Sequence, residues 1–153
     1  MANTSQVPRF VPLGNILALA LLRAGFKLVG PGMVVGTYPM YLLTVRGRKS
    51  GQPRTVAIAV MRRHGKRYIG SPYGMVDWVR NLRAAGEATL TRGRRSETIT
   101  ARELFPAEAI PILREEAEQG NPFMSFYGVT RDSSHEEFER AVAGHPMFLL
   151  ETQ

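Results

Sequence analysis

The chain contains no cysteine, and this absence excludes several kinds of chemistry at once. Without thiols there can be no disulfide, no thiolate metal ligand and no cysteine nucleophile. The three histidines, His64, His135 and His145, show no metal-ligand spacing, and no Ser/His/Asp arrangement is evident. We therefore expect no metal site. A chain free of disulfides fits a cytoplasmic location.

Acidic residues are missing from the first half of the chain. Residues 1–76 contain eleven Lys or Arg and no Asp or Glu, whereas residues 77–153 contain nine basic and thirteen acidic residues. The two halves therefore carry formal charges of +11 and −4. This asymmetry favours an anionic partner, which is a nucleic acid backbone, an acidic membrane surface, or a phosphorylated and carboxylated small molecule.

A long apolar run is also absent. Residues 15–29 predict a helix with Asn15 as its N-cap, but its uncharged core is far shorter than the roughly 20 residues that span a bilayer. The segment also lacks the pattern of a signal peptide. Two interpretations stay open. The helix packs over the rest of the domain as a lid, which we favour, or it lies on a membrane surface with Arg23 and Lys27 at the headgroups.

A basic turn between two apolar segments is the most distinctive feature that is present. Residues 41–45 and 55–60 predict two strands, joined by a turn of sequence GRKSGQPR at residues 47–54. Gly47 and Gly51 let a ligand approach the main chain, and the cations and the Ser50 hydroxyl beside them suit a phosphate. From composition alone, a solvated hairpin end is an equally good interpretation.

The remainder of the chain alternates short strands with helices. We predict strands at 66–71, 87–92, 96–102 and 146–151, and helices at 77–85 and 106–117. Another short helix is predicted with Asp132 or Ser133 as its cap, and the aromatic segment 123–127 is predicted to be a loop. At 153 residues the chain fits one α+β domain in which five or six antiparallel strands form a small barrel.

Four segments together resemble the deazaflavin-dependent nitroreductase family of split β-barrel oxidoreductases. They are residues 42–44, the turn at 47–54, the SPYG sequence at 71–74 and the DWVRNL sequence at 77–82. The similarity covers about residues 40–151. It implies an antiparallel, FMN-binding-like split β-barrel at 36–153, preceded by a lead and an amphipathic helix at 1–35. It also implies hydride transfer from reduced coenzyme F-420, an 8-hydroxy-5-deazaflavin with a phosphodiester and a polyglutamate tail, to an enone, quinone or nitroaromatic.

The same resemblance assigns roles to individual residues. The coenzyme-binding residues that it implies are Arg48, Lys49, Ser50 and Gly51 at the phosphate, Arg54 at the anionic tail or the phosphate, Val56, Ala57 and Ile58 along the ring, Ser71, Pro72 and Tyr73 on its other side, and Trp78 and Asn81 in the pocket wall. Tyr127 is the hydroxyl that we would test as proton donor, because the predicted aromatic loop can cover a substrate. A packed tyrosine is the alternative interpretation.

Other classes of function use the same features. A related split barrel can bind FMN, or carry a cofactor without turnover, and a nucleic-acid or membrane-surface module would use the same basic turn. The specificity of the turn motif argues against them, so we expect a small-molecule substrate and no nucleic acid. Membrane contact through the N-terminal helix and a homodimer stay open. Activation of nitroimidazoles is disfavoured, because Phe138 lies in the helical region where that branch has tyrosines.

Overall fold

A computed structural model describes residues 38–153, so the predicted helix at 15–29 and the segment 1–35 lie outside the described residues. The strands are β1 (Met40–Arg46), β2 (Pro53–Ala59), β3 (Met61–Arg63), β4 (Lys66–Gly70), β5 (Glu87–Arg92), β6 (Arg95–Glu103) and β7 (Met147–Thr152). The helices are α1 (Asp77–Ala85), α2 (Pro106–Glu118), α3 (Met124–Tyr127) and α4 (His135–Gly144). Within this part of the chain, no helix is long and apolar enough to cross a membrane.

The strands form one antiparallel sheet of seven in the order β2-β1-β5-β6-β7-β4-β3. Its two outermost strands, β2 and β3, are consecutive in the chain and only Val60 separates them. The sheet must therefore curl until its two edges approach each other at Val60, whose amide donates to the carbonyl of Pro39 at 3.1 Å. This geometry is a barrel that stays open along part of one side, as the sequence predicts.

Helix α1 closes this barrel against its apolar interior. Gly86 ends the helix in the left-handed conformation (φ 70°), and its amide donates to the carbonyl of Leu82 at 2.8 Å. Val79 and Leu82 of α1 are fully buried, and the ring of Trp78 lies 6.1 Å from that of Phe148 on β7. The buried core they join comprises Leu43, Val45, Ile58, Val60, Ile69, Val79, Leu82, Ala88, Leu90, Ile99, Phe148 and Leu150.

The outer face of the same sheet is covered by α2, α3 and α4. Strand β7 shows why both faces are apolar, because Phe148 and Leu150 belong to the interior cluster while Met147 and Leu149 pack with Ile112 of α2. A second layer of contacts joins the three helices to one another through Ile110, Leu113, Ala117, Met124, Tyr127, Val129, Phe138 and Ala141.

Three sequence predictions need correction. The sheet has seven strands rather than five or six, because residues 61–63 pair with β4 across a two-residue turn in which His64 (φ 49°) and Gly65 (φ 76°) are both left-handed. Residues 124–127 form a helix and not a loop. The cap of α4 is Ser134. Its hydroxyl accepts a hydrogen bond from the amide of Glu137, and its own amide donates to the Glu137 carboxylate, which is a capping box.

Candidate active site

The basic turn is a tight loop that depends on its glycines. The amide of Gly47 donates to the carbonyl of Gln52, and the amide of Gly51 donates back to the carbonyl of Gly47, both at 2.8 Å. Gly51 is left-handed with φ 70°, and a Cβ at Gly47 would lie only 2.8 Å from the Ser50 hydroxyl oxygen. Side chains at these two positions would therefore strain the turn or push it open.

Helix α1 holds this turn in place through Arg48. The buried Asn81 side-chain oxygen accepts from the Arg48 amide at 3.2 Å and from its Nη1 at 2.8 Å. Asp77 accepts from Nη2 of the same guanidinium at 3.2 Å. The polar side chain that the sequence places on the apolar face of α1 thus has a defined partner, and Arg48 is largely committed to contacts within the protein.

Two neighbouring cations are not committed in this way. The side chains of Lys49 and Arg54 are exposed and, within residues 38–153, make no hydrogen bond or ion pair. Both face a groove of about 610 Å³, a volume typical of small-molecule sites. The groove is lined by Gly47, Arg48, Lys49, Ser50, Pro53, Arg54, Thr55, Val56, Asp77, Trp78 and Asn81. A second groove, of about 910 Å³, lies on the other side of the same turn and includes Arg46 and Gly51.

The structure brings together seven of the residues that the sequence assigns to coenzyme binding. These are Arg48, Lys49, Ser50, Arg54, Val56, Trp78 and Asn81. Sequence reasoning did not assign Pro53, Thr55 and Asp77 to the groove. Asp77 matters most of these, because it puts an exposed carboxylate among cations. In the sequence, the position of Asp77 at the start of a helix indicates only an interaction with the helix dipole, and this is why it was not assigned to the groove.

The other assigned residues line neither groove, apart from Gly51 in the second one. Ile58 belongs to the buried core, because its side chain points into the barrel. The buried Ser71 hydroxyl donates to the carbonyl of Gly74, and the ring of Tyr73 packs against that of Phe126 at 5.1 Å. Pro72 lines a separate cavity, and Ala57 lies beside Ile58 on β2.

Tyr127 lies in that separate cavity, which has a volume of about 70 Å³ and shares no lining residue with either groove. It is the last residue of α3, only 7% exposed, and its ring lies 4.8 Å from that of His145. Burial raises the pKa of the Tyr127 hydroxyl above its usual range, and the nearby Glu116 raises it further. The sequence predicted Tyr127 on an aromatic loop that can cover a substrate, whereas the structure places it at the end of helix α3, in a cavity separate from both grooves.

A buried polar cluster at the same cavity escaped sequence reasoning. Glu116 of α2 is fully buried, and the Tyr38 hydroxyl lies 2.7 Å from both of its carboxylate oxygens. Arg63 of β3 pairs with the same carboxylate, and Asn121 donates to it at 2.7 Å. These partners neutralise and hydrogen-bond a charge that is otherwise expensive to bury.

The antiparallel barrel that is closed by α1, with a cationic groove at its edge, defines the chain as a split-barrel oxidoreductase of the flavin and deazaflavin class. Within that class the chain belongs to the F420H(2)-dependent quinone reductase family, whose model matches residues 26–133. It is an enzyme of that family, and its cofactor is coenzyme F-420. The sequence-based resemblance, the split barrel and the choice of cofactor are thereby confirmed.

Solved structures support the same fold. A structure described as F420-H2 dependent reductase FDR-A has 24% identity and a TM-score of 0.53, and the match covers 73% of this chain and 93% of that one. One described as a domain-swapped dimer has 22% identity and a TM-score of 0.54, over 89% and 95% of the two chains. No curated protein matches the sequence. A homodimer and a membrane contact of this chain stay predictions.

Proposed function

We propose that this protein reduces a small electrophilic organic molecule, a quinone foremost and an enone or nitroaromatic as alternatives, and that the groove beside the basic turn binds the anionic part of coenzyme F-420. The observation that carries the proposal is that two of the three cations in this groove have no partner among the described residues. Arg48 is held by Asn81 and Asp77, whereas Lys49 and Arg54 point into the groove without a partner in residues 38–153. Unpaired cations of this kind are suited to a phosphate or carboxylates.

The residues present fit such a group. Lys49 and Arg54 supply the charge, while the tight turn and Arg48 fix the distance between them. Val56 and Trp78 give the groove an apolar wall, which suits the flat part of a ligand. When bound, the reduced coenzyme supplies a hydride from its C5 carbon. The protein contributes orientation, and correct placement of two reactants is worth on the order of 7 to 11 kcal/mol of the barrier.

The experiment is a fluorescence titration of the purified protein with oxidised coenzyme F-420 and, separately, with FMN, at two salt concentrations. We expect selective binding of the deazaflavin that weakens as salt rises. Lys49→Ala and Arg54→Ala should each weaken binding by about 1.5 to 3 kcal/mol, the range for a hydrogen bond to a charged group. Arg48→Ala should cost a similar amount, in part because the turn loses its contacts with α1.

Lys66→Ala is the matched control, because Lys66 is an exposed lysine on the β3–β4 hairpin and does not line the groove. It should bind the coenzyme as the unmodified protein does. Unchanged affinity in both Lys49→Ala and Arg54→Ala would refute the groove as the binding site. Binding of FMN in preference to the deazaflavin would contradict the proposed reaction.

A further inference from the structure

Four arginines face the interior of the barrel where its strands leave the apolar core. We call them the arginine cluster: Arg62, Arg67, Arg92 and Arg95. Arg67 lies directly opposite the core residue Leu150, and Arg62 lies opposite Arg67 on the neighbouring strand. Residues that pair in this way share a face of the sheet. Both side chains are therefore on the inner face, together with the core.

The other two members of the cluster come from β5 and β6. Arg92 follows the core residue Leu90 by two positions, so it is on the same inner face, and it lies opposite Arg95. The guanidinium of Arg92 lies 5.5 Å from the centroid of the Tyr41 ring. Tyr41 precedes Arg46 by five residues on β1, and Arg46 adjoins the basic turn. The cluster is therefore about 17 Å from that turn along the strand.

Glu97 is the acidic side chain of this region, and it is already neutralised. It follows Arg95 by two positions on β6 and therefore shares its face. Arg67 pairs with both of its carboxylate oxygens, and the Thr152 hydroxyl donates to it at 3.0 Å. The pKa of Glu97 is lowered, chiefly by Arg67 and to a smaller extent by the nearby Arg62.

The remaining three arginines have no acidic partner. Within residues 38–153, the side chains of Arg62, Arg92 and Arg95 make no hydrogen bond or ion pair, and the Nε atom of Arg92 is buried without a partner. All thirteen acidic residues lie at 77–153, within the described part of the chain, and residues 1–37 contain none. No acidic side chain of this chain therefore pairs with these three guanidiniums.

The strand register brings like charges face to face. Arg62 lies opposite Arg67, and Arg92 lies opposite Arg95. Like charges directly opposite each other on neighbouring strands are destabilising. Glu97 relieves this repulsion only in the first pair, through its contacts with Arg67. An anion from outside the chain is needed to relieve it in the second.

The type and number of the free cations indicate which anion fits. All of them are arginines, whose planar guanidinium binds two oxygens of a phosphate or carboxylate at once. Three free guanidiniums carry a formal charge of +3, more than one carboxylate neutralises. A phosphate monoester carries a charge of about −1.5 to −2 and three strong acceptor oxygens. It therefore matches the cluster better in both charge and number of acceptors.

We propose that the arginine cluster is a second anion site, which binds a phosphate group through Arg62, Arg92 and Arg95. Arg62 and Arg95 are exposed, so a phosphate reaches them from solvent, while the Tyr41 ring holds Arg92 in place. The phosphate is carried by a small soluble molecule or by the headgroup of an acidic lipid. This inference is independent of the proposed function, because no residue of the cluster lines either groove at the basic turn.

The test is a calorimetric titration with pyrophosphate, with sodium chloride adjusted to keep the ionic strength constant. It uses Lys49→Ala/Arg54→Ala protein, because the groove beside the basic turn has lost both of its free cations in this variant. We expect pyrophosphate to bind this protein at the arginine cluster. Addition of Arg95→Gln should weaken that binding about ten-fold or more, the value of a hydrogen bond to a charged group.

Two further variants distinguish recognition of phosphate from a general attraction by charge. Arg95→Lys keeps the charge but loses the planar fork, so it should lose most of the affinity that Arg95→Gln loses. Arg131→Gln is the matched control, because it removes an exposed arginine between α3 and α4, and it should bind pyrophosphate normally. Thermal denaturation at low salt without pyrophosphate should show Arg95→Gln to be at least as stable as its parent, since one like-charge pair is removed.

Cosedimentation with vesicles distinguishes the two sources of the phosphate. Phosphatidylcholine vesicles with and without phosphatidic acid are mixed with the unmodified protein and with Arg95→Gln. Binding of pyrophosphate without sedimentation on phosphatidic acid supports a small soluble ligand. Sedimentation that requires phosphatidic acid and is lost in Arg95→Gln supports a lipid headgroup.

Several results would overturn the inference. They are the absence of binding to both probes, equal affinity for pyrophosphate in Arg95→Gln and Arg131→Gln, and full affinity in Arg95→Lys, which would show that charge alone acts. A marked loss of stability in Arg95→Gln would mean that a partner inside the protein already holds Arg95. The proposed function fails separately, since the single substitution Arg95→Gln should leave the coenzyme titration unchanged.

Discussion

Replacement of Tyr127 by Phe should change the stability of the protein little. The side chain is only 7% exposed, but its hydroxyl lies at a cavity and makes no hydrogen bond within residues 38–153. A neutral hydrogen bond in a protein is worth about 0.5 to 1.5 kcal/mol, and this substitution breaks none among these residues. We therefore expect Tyr127→Phe to shift the free energy of unfolding by less than about 0.5 kcal/mol. For a chain of this size, that corresponds to less than about 2 °C in melting temperature.

The same substitution at Tyr38 should be clearly destabilising. The Tyr38 hydroxyl donates to the fully buried Glu116 and accepts from Nη2 of Arg63 at 2.8 Å. Tyr38→Phe leaves a buried carboxylate with one donor fewer, at a cost of about 1.5 to 3 kcal/mol. Two substitutions that are chemically identical, at one cavity, should therefore differ by about 1.5 to 3 kcal/mol.

Chemical denaturation in urea measures this difference directly. The midpoint and slope are determined for the unmodified protein and for both variants, and unchanged slopes allow the free energies to be compared. A Tyr127→Phe variant that is less stable by about 1 kcal/mol or more would show that its hydroxyl has a bonding partner in the free protein. The expectation that Tyr127→Phe breaks no hydrogen bond would then be wrong.

Two further predictions concern charge. Asp77→Asn should tighten binding of oxidised coenzyme about two- to five-fold at low salt, because it removes a negative charge from the groove while Asn81 still holds Arg48. Asp132→Asn, at an exposed acid outside the groove, is the control, and an equal change in affinity in both variants would contradict this explanation. The Arg102 side chain and the amide of Phe105 lower the pKa of Glu108 to about 2. The stability that these two contacts contribute is fully present above about pH 4.5 and is lost as the pH falls toward 2. In urea denaturation over this pH range, the free energy of unfolding should therefore fall less in Arg102→Ala than in the unmodified protein.

Local signals in the sequence were sufficient for the elements that need no distant partner. The bounds of α1 were predicted at 77–85 as the structure has them, because an acid begins the helix and Gly86 ends it. The basic turn was predicted for a similar reason, since the left-handed conformation of Gly51 and the close contacts at Gly47 involve only residues 47–54. The groove follows from these two elements once Asn81 is placed on the face of α1 that meets the turn.

Features that depend on long-range contacts were not predictable in this way. Gly120, Pro122 and Gly128 flank the segment 123–127 and indicate a loop, and only packing against Leu113 and Phe138 fixes one helical turn there. Glu116 lies beside another glutamate and looks like a solvent-exposed position. Its burial follows from Arg63, 53 residues earlier, which no local pattern reveals.

Ion pairs between the two halves of the chain neutralise part of its basic charge and leave a few cations free to bind a ligand. The first half of the chain is strongly basic, yet the structure uses much of that charge internally, in the pairs Arg48–Asp77, Arg63–Glu116 and Arg67–Glu97. Each pair joins a cation of the first half to an acid of the second. A nucleic acid needs an extended row of free cations. Unpaired Lys49 and Arg54 in a groove of about 610 Å³ are instead suited to one small anion, which is why the net charge alone favoured three partners and the structure favours one.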